Sequence, residues 1–241
     1  MQPTTDAPTE FILRIWPWLE ANKNRLIIAV IVVAIAIWAY SYTNSQKAQK
    51  EITAGEALTQ MMMTPPTGVS PADALSQLAA KYPGTAAAQR AQLQAAATLF
   101  DNARFPESQA AFKKFLDSNS SSGPLAAIAQ MGIGASLEAQ NKLDEAANAY
   151  QKVASTYANQ GAALPALCAL GRIAEAKGNL NEALGDYEAA AKAGQAGGSL
   201  AQQAGIQVME LRAKIAAQKS AAAPAPAATT PAFTPSILPA K

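Results

Sequence analysis

The most apolar stretch of the chain lies near its N-terminus. The sequence LIIAVIVVAIAIWAY occupies residues 26–40, and the run without charged side chains extends over residues 26–46. As a helix rising ~1.5 Å per residue, this run would be about 32 Å long, close to the roughly 30 Å hydrocarbon core of a bilayer. Trp16 and Trp18 precede it, and Trp38, Tyr40 and Tyr42 lie toward its other end, as is typical of membrane interfaces. The pattern predicts a transmembrane helix over residues 26–43.

Two other interpretations fit an apolar run of this length. A buried core helix would need apolar neighbours on every side, and no other part of the chain is apolar enough to supply them. A cleaved signal peptide is favoured by the small-x-small triplet at residues 39–41. Against cleavage, the preceding region is long and contains acidic residues, and the bulky Trp38 and Tyr40 crowd the cut. An uncleaved signal anchor fits best, and cleavage stays open.

Cations flank the apolar run on both sides. Arg14, Lys23 and Arg25 precede it, and Lys47 and Lys50 follow it. This small excess favours a cytoplasmic N-terminus, because positive residues are retained on the cytoplasmic side. We therefore expect a single-pass protein of the inner (plasma) membrane, with everything after the anchor in the periplasm.

The segments around the anchor are predicted from their composition. Residues 1–25 form a cytoplasmic tail that contains a short interfacial helix. Residues 44–69 form a polar stalk helix and a Pro-containing linker. Residues 220–241 are rich in Ala and Pro with almost no charge, so we expect them to be disordered.

Residues 70–219 are rich in Ala, Leu, Gln and Glu, and the segment contains a repeat. ARFPESQAAF, NKLDEAANAY and GNLNEALGDY begin at Ala103, Asn141 and Gly178, which are 38 and 37 residues apart. A period of this length is typical of a helix-turn-helix unit. The pattern predicts three helical hairpins that turn at these three residues, a partial hairpin before them, and a capping helix over residues 199–219.

Small and aromatic residues recur at matching positions in the three units. A small residue on each helix lets the two backbones approach, and an aromatic residue one turn later fills the space between them. The predicted packing residues are Ala96, Ser108 and Phe112 in the first unit, Gly134, Ala146 and Tyr150 in the second, and Gly171, Ala183 and Tyr187 in the third.

At these positions the chain resembles the tetratricopeptide repeats. The third unit carries the pattern Leu170, Gly171, Ala174, Gly178, Leu180, Ala183, Tyr187 and Ala190. The second unit follows the same pattern well, and the first follows it in chemical type only. The family's early tryptophan and late proline are absent from all three units. The resemblance implies an all-α fold in which helical hairpins stack side by side behind the transmembrane helix.

Composition excludes several functional classes. The chain has no histidine and Cys168 is its only cysteine, so histidine-dependent triads, structural zinc sites and intrachain disulfides are excluded. The formal charge is only +2 and no basic face for nucleic acid stands out. Glu175, Glu182 and Asp186 are carboxylates of the kind that serve as acid and base, but on helix faces we expect them to be solvated charges. We expect neither enzymatic activity, nor a cofactor or metal, nor a small-molecule substrate.

The tetratricopeptide resemblance implies a concave surface made by the first helix of each hairpin. Its mixed apolar and charged character suits extended polypeptide. Alternatively, these side chains only pack against the stalk or the terminal helix. The candidate residues are Arg90, Leu93, Phe100, Ile128, Met131, Glu138, Cys168, Arg172 and Glu175.

The order of parts carries a second resemblance. An aromatic-rich tail, one anchor, a polar stalk and degenerate repeats, together with EFILRIWPWLEANKNRLIIAVIVVAIAIWAYSYTNSQKAQK, resemble the YfgM-like family of ancillary SecYEG translocon subunits. The resemblance covers residues 10–215. It implies a membrane-tethered periplasmic adaptor beside the translocon, with a membrane-anchored prolyl isomerase chaperone and unfolded secreted chains as partners. A scaffold for another envelope complex, such as outer-membrane or cell-wall assembly, is the alternative.

Overall fold

The computed structural model describes residues 18, 20–64, 66–119, 123–158, 161–194 and 198–222. Most of the predicted interfacial helix and residues 223–241 of the predicted disordered tail lie outside these ranges. The described residues are almost entirely helical and include no strand. The α-helices are α1 (Lys23–Met63), α2 (Pro71–Lys81), α3 (Ala86–Asp101), α4 (Phe105–Ser118), α5 (Pro124–Ala139), α6 (Leu143–Thr156), α7 (Ala163–Ala176), α8 (Leu180–Ala193) and α9 (Ser199–Ala222). The predicted all-α fold is confirmed.

The first helix is far longer than the predicted membrane span. α1 has 41 residues, which corresponds to about 60 Å at 1.5 Å per residue, and it continues from the apolar run through the predicted stalk. It contains no proline and a single glycine, Gly55, and no break separates residues 26–43 from the rest of the helix. In the described part of the chain, α1 is the helix apolar enough to span a membrane, and its apolar window is entirely unburied.

The chain divides into two compact units, residues 1–94 and residues 95–241. The boundary falls inside α3. We call them unit 1 and unit 2 and describe each by itself.

In unit 1, the end of α1 packs with α2. Ala54 is completely buried on α1, and Leu58, one turn later on the same face, is buried as well. α2 begins at Pro71, the favoured first helical residue, after Ser70, whose Oγ accepts a hydrogen bond of 3.4 Å from the amide of Asp73. The second half of the predicted stalk is therefore a packed helix. It supplies the first helix of the hairpin that the sequence showed only in part.

In unit 2, successive helices pack into two connected cores. The first core joins side chains of α5, α6 and α7, including Tyr150, Val153 and Ile173. The second core joins α7, α8 and α9, where Val208 and Leu211 cover α8. α9 thus closes the end of the unit as the predicted capping helix, and it extends three residues past the predicted end, to Ala222.

The three predicted turns share one backbone geometry. Ala103, Asn141 and Gly178 all have left-handed backbone angles, with φ of +58°, +60° and +80°. This conformation ends a helix by letting the next residue's amide reach back to a carbonyl one turn earlier. The corresponding hydrogen bonds run from Arg104 to Leu99, from Lys142 to Leu137 and from Asn179 to Ala174, at 2.8–2.9 Å.

All nine predicted packing residues are buried. A Cβ on Gly134 would lie 2.6 Å from the ring of Tyr150, and one on Gly171 would lie 2.9 Å from Tyr187. Only glycine therefore fits opposite each tyrosine without displacing the ring.

The first hairpin of unit 2 packs differently from the other two. The ring of Phe112 lies over Gly132 of α5, where a Cβ would come within 2.4 Å of it. Ser108 donates a hydrogen bond of 2.8 Å to the carbonyl of Ala96, and Ser136 on α5 donates to Ser108 at 3.2 Å. Polar contacts between buried small residues thus join α3, α4 and α5.

Candidate protein-binding site

Six of the predicted surface residues lie on two helices of unit 2. Ile128, Met131 and Glu138 are three and seven residues apart on α5, and Cys168, Arg172 and Glu175 are four and three apart on α7. At 3.6 residues per turn, each set lies on one side of its helix. We call these six residues the α5–α7 face.

A bidentate ion pair joins the two helices of this face. Arg172 donates from Nε to Oε1 of Glu138 at 2.8 Å and from Nη2 to Oε2 at 2.7 Å. The planar guanidinium matches a carboxylate in this geometry, which fixes both side chains more firmly than a single contact does. The first helices of consecutive hairpins are therefore joined side by side.

Glu138 accepts a third hydrogen bond from a residue beneath the surface. The hydroxyl of the buried Tyr150 donates to Oε2 at 2.9 Å, while the tyrosine ring packs on Gly134. The same tyrosine thus fills the space inside the hairpin and holds the carboxylate that binds Arg172. This contact links the packing of the repeat to the α5–α7 face.

The electrostatic environment keeps these groups in their charged or hydrogen-bonding forms. Burial would raise the pKa of Glu138, but the hydrogen bonds from Arg172 and Tyr150 outweigh it and hold that pKa below its usual value. The hydrogen bond to Glu138 raises the pKa of Arg172. Burial, and then the neighbouring Glu138 carboxylate, raise the pKa of Tyr150. At neutral pH the site holds a carboxylate, a guanidinium and a neutral phenol.

The next hairpin repeats part of this arrangement. Glu175 is 37 residues after Glu138, at the equivalent position of α7, and its Oε1 lies 3.5 Å from Nζ of Lys214 on α9. Burial, and then Glu175, raise the pKa of Tyr187, the equivalent of Tyr150. A carboxylate near a tyrosine is thus common to the last two hairpins.

In the first hairpin, phenylalanine occupies both the glutamate and the tyrosine positions. Phe100 is at the carboxylate position and Phe112 is at the tyrosine position. The ring of Phe100 meets the ring of Phe105 edge to face, with centroids 5.2 Å apart. A buried tyrosine hydroxyl needs a hydrogen-bond partner, and a phenylalanine ring needs none. The absence of the carboxylate is therefore consistent with phenylalanine at the tyrosine position.

The α5–α7 face is nearly neutral and partly apolar. Its two carboxylates are each paired with a cation, Arg172 or Lys214. Ile128 is 53% exposed and Met131 is half-buried. Among the described residues, no group of acidic or cysteine side chains is arranged to hold a metal ion. The face therefore offers apolar contact at one end and hydrogen-bonding groups at the other.

Cys168 is half-buried on this face. Burial raises the pKa of its thiol, and the positive charge of Arg172 opposes that effect only in part. The thiol is therefore protonated at neutral pH and is a weak nucleophile. Its role in the structure is packing against the second core of unit 2.

The other predicted surface residues lie on α3. Arg90 is exposed and Leu93 is buried, and both belong to unit 1. Leu93 thus has little surface to offer a partner. Phe100 belongs to unit 2 and is half-buried.

Sequence reasoning missed two contributors to this site. Lys214 on the predicted capping helix pairs with Glu175, a contact that the repeat pattern does not predict. Tyr150 was assigned to packing alone, although its hydroxyl binds Glu138. The sequence does carry a signal for the contact between Tyr150 and Glu138. Two units have both Glu and Tyr at these positions, and the other unit has Phe at both.

Comparison with known proteins identifies the repeat. A family model described as a tetratricopeptide repeat-like domain matches residues 17–218, which include the apolar part of α1 as well as every hairpin. No curated protein matches the chain significantly.

Proposed function

Because the chain belongs to the tetratricopeptide repeat-like family, we propose that it is a membrane-tethered adaptor that binds other proteins through the α5–α7 face. The observation that carries this proposal is the face itself. Its charges are paired, its ion pair is held from beneath by Tyr150, and its apolar end is exposed. A surface of this kind gains affinity from apolar contact and backbone hydrogen bonds, which any extended polypeptide provides.

The membrane tether is supported by α1. Its apolar residues are exposed along the whole span, where water would be a poor solvent for them, and the length suits a bilayer. The small excess of cations before the apolar run favours a cytoplasmic N-terminus and a periplasmic repeat domain. The inner (plasma) membrane is then the site of the protein.

We further propose that the adaptor is an ancillary subunit of the SecYEG translocon, as the resemblance of residues 10–50 to the YfgM-like family implies. Its partners would be the translocon, a membrane-anchored prolyl isomerase chaperone and unfolded secreted chains. Tethering raises the local concentration of the α5–α7 face near the exit of the channel. Weak contacts with each secreted chain are then sufficient for binding.

The test is crosslinking in intact cells, followed by purification of the full-length protein. Translocon subunits and a range of secreted chains are expected in the purified material. The control is a secreted form in which residues 1–44 are replaced by a cleavable signal peptide. This form retains Glu51, Ala54 and the α5–α7 face but lacks the tether. We therefore expect translocon subunits to be absent from the material purified with it.

Two outcomes would contradict this assignment. If translocon subunits are absent with the full-length protein, the translocon proposal fails. If one envelope-assembly protein is recovered in stoichiometric amount with few secreted chains, the protein is a scaffold rather than an adaptor for secreted chains.

A further inference from the structure

One side of α9 is exposed along most of the helix. The other side packs against α7 and α8 through Ala204, Val208 and Leu211, which are buried. At 3.6 residues per turn, positions that alternate four and three apart lie on one side of a helix. We call the exposed side the outer face of α9. Its residues are Gln202, Ile206, Met209, Ala213, Ala216 and Ser220.

The outer face is apolar for the last helix of a stack of hairpins. Ile206 is 55% exposed and Met209, one turn further along the helix, is 73% exposed. None of the six residues is charged, and the charged Glu210 and Arg212 lie to either side of them. The terminal helix of such a stack needs a polar outer surface to remain soluble. The composition of this face therefore indicates that another segment covers it.

The segment that follows α9 has a matching composition. α9 ends at Ala222, and residues 220–240 contain no charged side chain. Two of the large apolar residues beyond the helix are Phe233 and Ile237, four residues apart. Proline at positions 231, 235 and 239 favours an extended backbone at the residue before each of them.

Proline also suits a segment that lies along a helix. The backbone amides and carbonyls in the interior of a helix bond to each other, so they offer no partners to a neighbouring segment. Three of the nine residues 231–239 are prolines, which have no amide to satisfy. Docking on α9 therefore costs this segment few hydrogen bonds to water.

The spacing of apolar residues on the two elements is similar. Residues four apart in an extended segment lie on the same side, about 13 Å apart at ~3.3 Å per residue. Along the axis of α9, Ala216 is about 10.5 Å from Met209 and about 15 Å from Ile206. When Phe233 lies over the small Ala216, Ile237 therefore reaches the space between Met209 and Ile206.

The connection is long enough for the chain to return along α9. Phe233 is 11 residues beyond Ala222, which corresponds to about 34 Å of extended chain at ~3.1 Å per residue. Ala216 is six residues before Ala222, about 9 Å along the axis. The difference leaves room for the chain to reverse. A short connection also gives the segment an effective concentration on the order of millimolar at its own α9, which favours it over a second copy.

We propose that residues 231–238 bind in an extended conformation along the outer face of α9. Phe233 lies over the alanines of that face, and Ile237 lies beside Met209. The segment thus covers the end of unit 2 and is ordered there, in contrast to the disorder that composition predicts. This inference depends neither on the membrane tether nor on binding at the α5–α7 face.

Quenching of a fluorophore by tryptophan tests this contact in the detergent-solubilised full-length protein. In a Cys168→Ser background, a cysteine labelled with bimane is introduced as Ala217→Cys, at the edge of the outer face, or as Gln218→Cys. Both residues are exposed, and Gln218 lies about 100° further around the helix, away from the outer face. Phe233→Trp supplies the quencher. We expect Phe233→Trp to reduce the fluorescence about threefold at position 217 and to change it little at position 218.

Serine variants test which residues make the contact. Ile237→Ser is expected to reduce the quenching at position 217 at least twofold. Leu238→Ser is the matched control, because alternate residues of an extended segment face opposite sides, and it is expected to change nothing. Met209→Ser tests the helix, and Ile128→Ser, at an exposed isoleucine of α5, is its control. Circular dichroism of each variant shows whether the helices are intact.

Three results would overturn the proposal. Equal quenching at positions 217 and 218, or none at position 217, would show that the segment does not bind the outer face. Equal losses in Ile237→Ser and Leu238→Ser would contradict the extended arrangement. Quenching that appears only when bimane-labelled protein is mixed with unlabelled Phe233→Trp protein would show that the segment of a second copy covers the face.

Discussion

Tyr150 and Glu138 are joined by a hydrogen bond of 2.9 Å from the tyrosine hydroxyl to Oε2 of the carboxylate. The tyrosine belongs to the core of a hairpin, and the carboxylate belongs to the α5–α7 face. Arg172 completes the arrangement from the neighbouring hairpin. The packing of the hairpin therefore fixes the position of charged groups on the face.

Removing the hydroxyl tests this connection. Tyr150→Phe leaves the ring on Gly134 and deletes one hydrogen bond to a charged acceptor, so we expect a loss of about 1.5 kcal/mol in the free energy of unfolding. Urea unfolding of the detergent-solubilised full-length protein measures the loss. A double-mutant cycle with Glu138→Gln is the control, because partners in contact give effects that do not add. Strictly additive losses would show that the contact contributes nothing.

The lowered pKa of Glu138 predicts a dependence of stability on pH. A carboxyl group whose pKa is lower in the folded than in the unfolded state stabilises the fold fully above its unfolded pKa, about 4.3. That stabilisation is lost as the pH falls through the folded pKa. Because Arg172 is largely exposed, we expect about 1 kcal/mol at most.

Comparison with Glu138→Gln isolates this effect. The wild type is expected to be more stable than the variant at pH 7 and to approach it as the pH falls through the lowered pKa of Glu138. Asp186, whose pKa is raised by burial and then by Glu182, acts in the opposite direction but is common to both proteins. If the difference in free energy of unfolding between the two proteins stays constant with pH, the lowered pKa of Glu138 is contradicted.

The close approach of α5 and α6 predicts that Gly134 cannot be enlarged. In Gly134→Ala the new Cβ would lie 2.6 Å from the Tyr150 ring, so the ring has to move, at a cost of about 1–3 kcal/mol. Gly185→Ala is the matched control. No atom lies within 4 Å of its new Cβ, and Ala favours a helix interior over Gly by roughly 0.5–1 kcal/mol. Thermal unfolding is expected to shift down for the first variant and up for the second.

The left-handed turns predict that replacing alanine by glycine stabilises the protein and that replacing glycine by alanine destabilises it. Ala103 has a φ of +58°, which is unfavourable for a residue with a Cβ, so Ala103→Gly is expected to stabilise the protein by about 0.5–1 kcal/mol. Gly178→Ala imposes the same strain on the equivalent turn and is expected to destabilise it by a similar amount. Urea midpoints that move in the same direction for both variants would contradict the shared geometry.

The sequence was sufficient for the features that depend on short-range spacing. The turn residues and the small and aromatic pairs follow from one local repeat, because each hairpin places a turn residue, small residues and an aromatic residue at the same spacing. The apolar run needed only its length and composition.

Other features required contacts between distant residues. The sequence predicts a polar stalk helix here, in which Ala54 is too small to mark an apolar face, yet Ala54 is fully buried in the structure. The hydrogen bond from Ala86 to Glu51 joins residues 35 apart and follows no repeat. The pairing of Lys214 with Glu175 depends on where the capping helix lies. None of these contacts has a periodic signal in the sequence.

Site-specific photo-crosslinking in intact cells tests the adaptor proposal most directly. A photoreactive residue replaces Met131 on the α5–α7 face or, as the control, the exposed Gln151 on α6. The account predicts adducts of several secreted proteins from position 131 and few from position 151. The same adducts from both positions, or none from position 131, would contradict binding of polypeptide at the α5–α7 face.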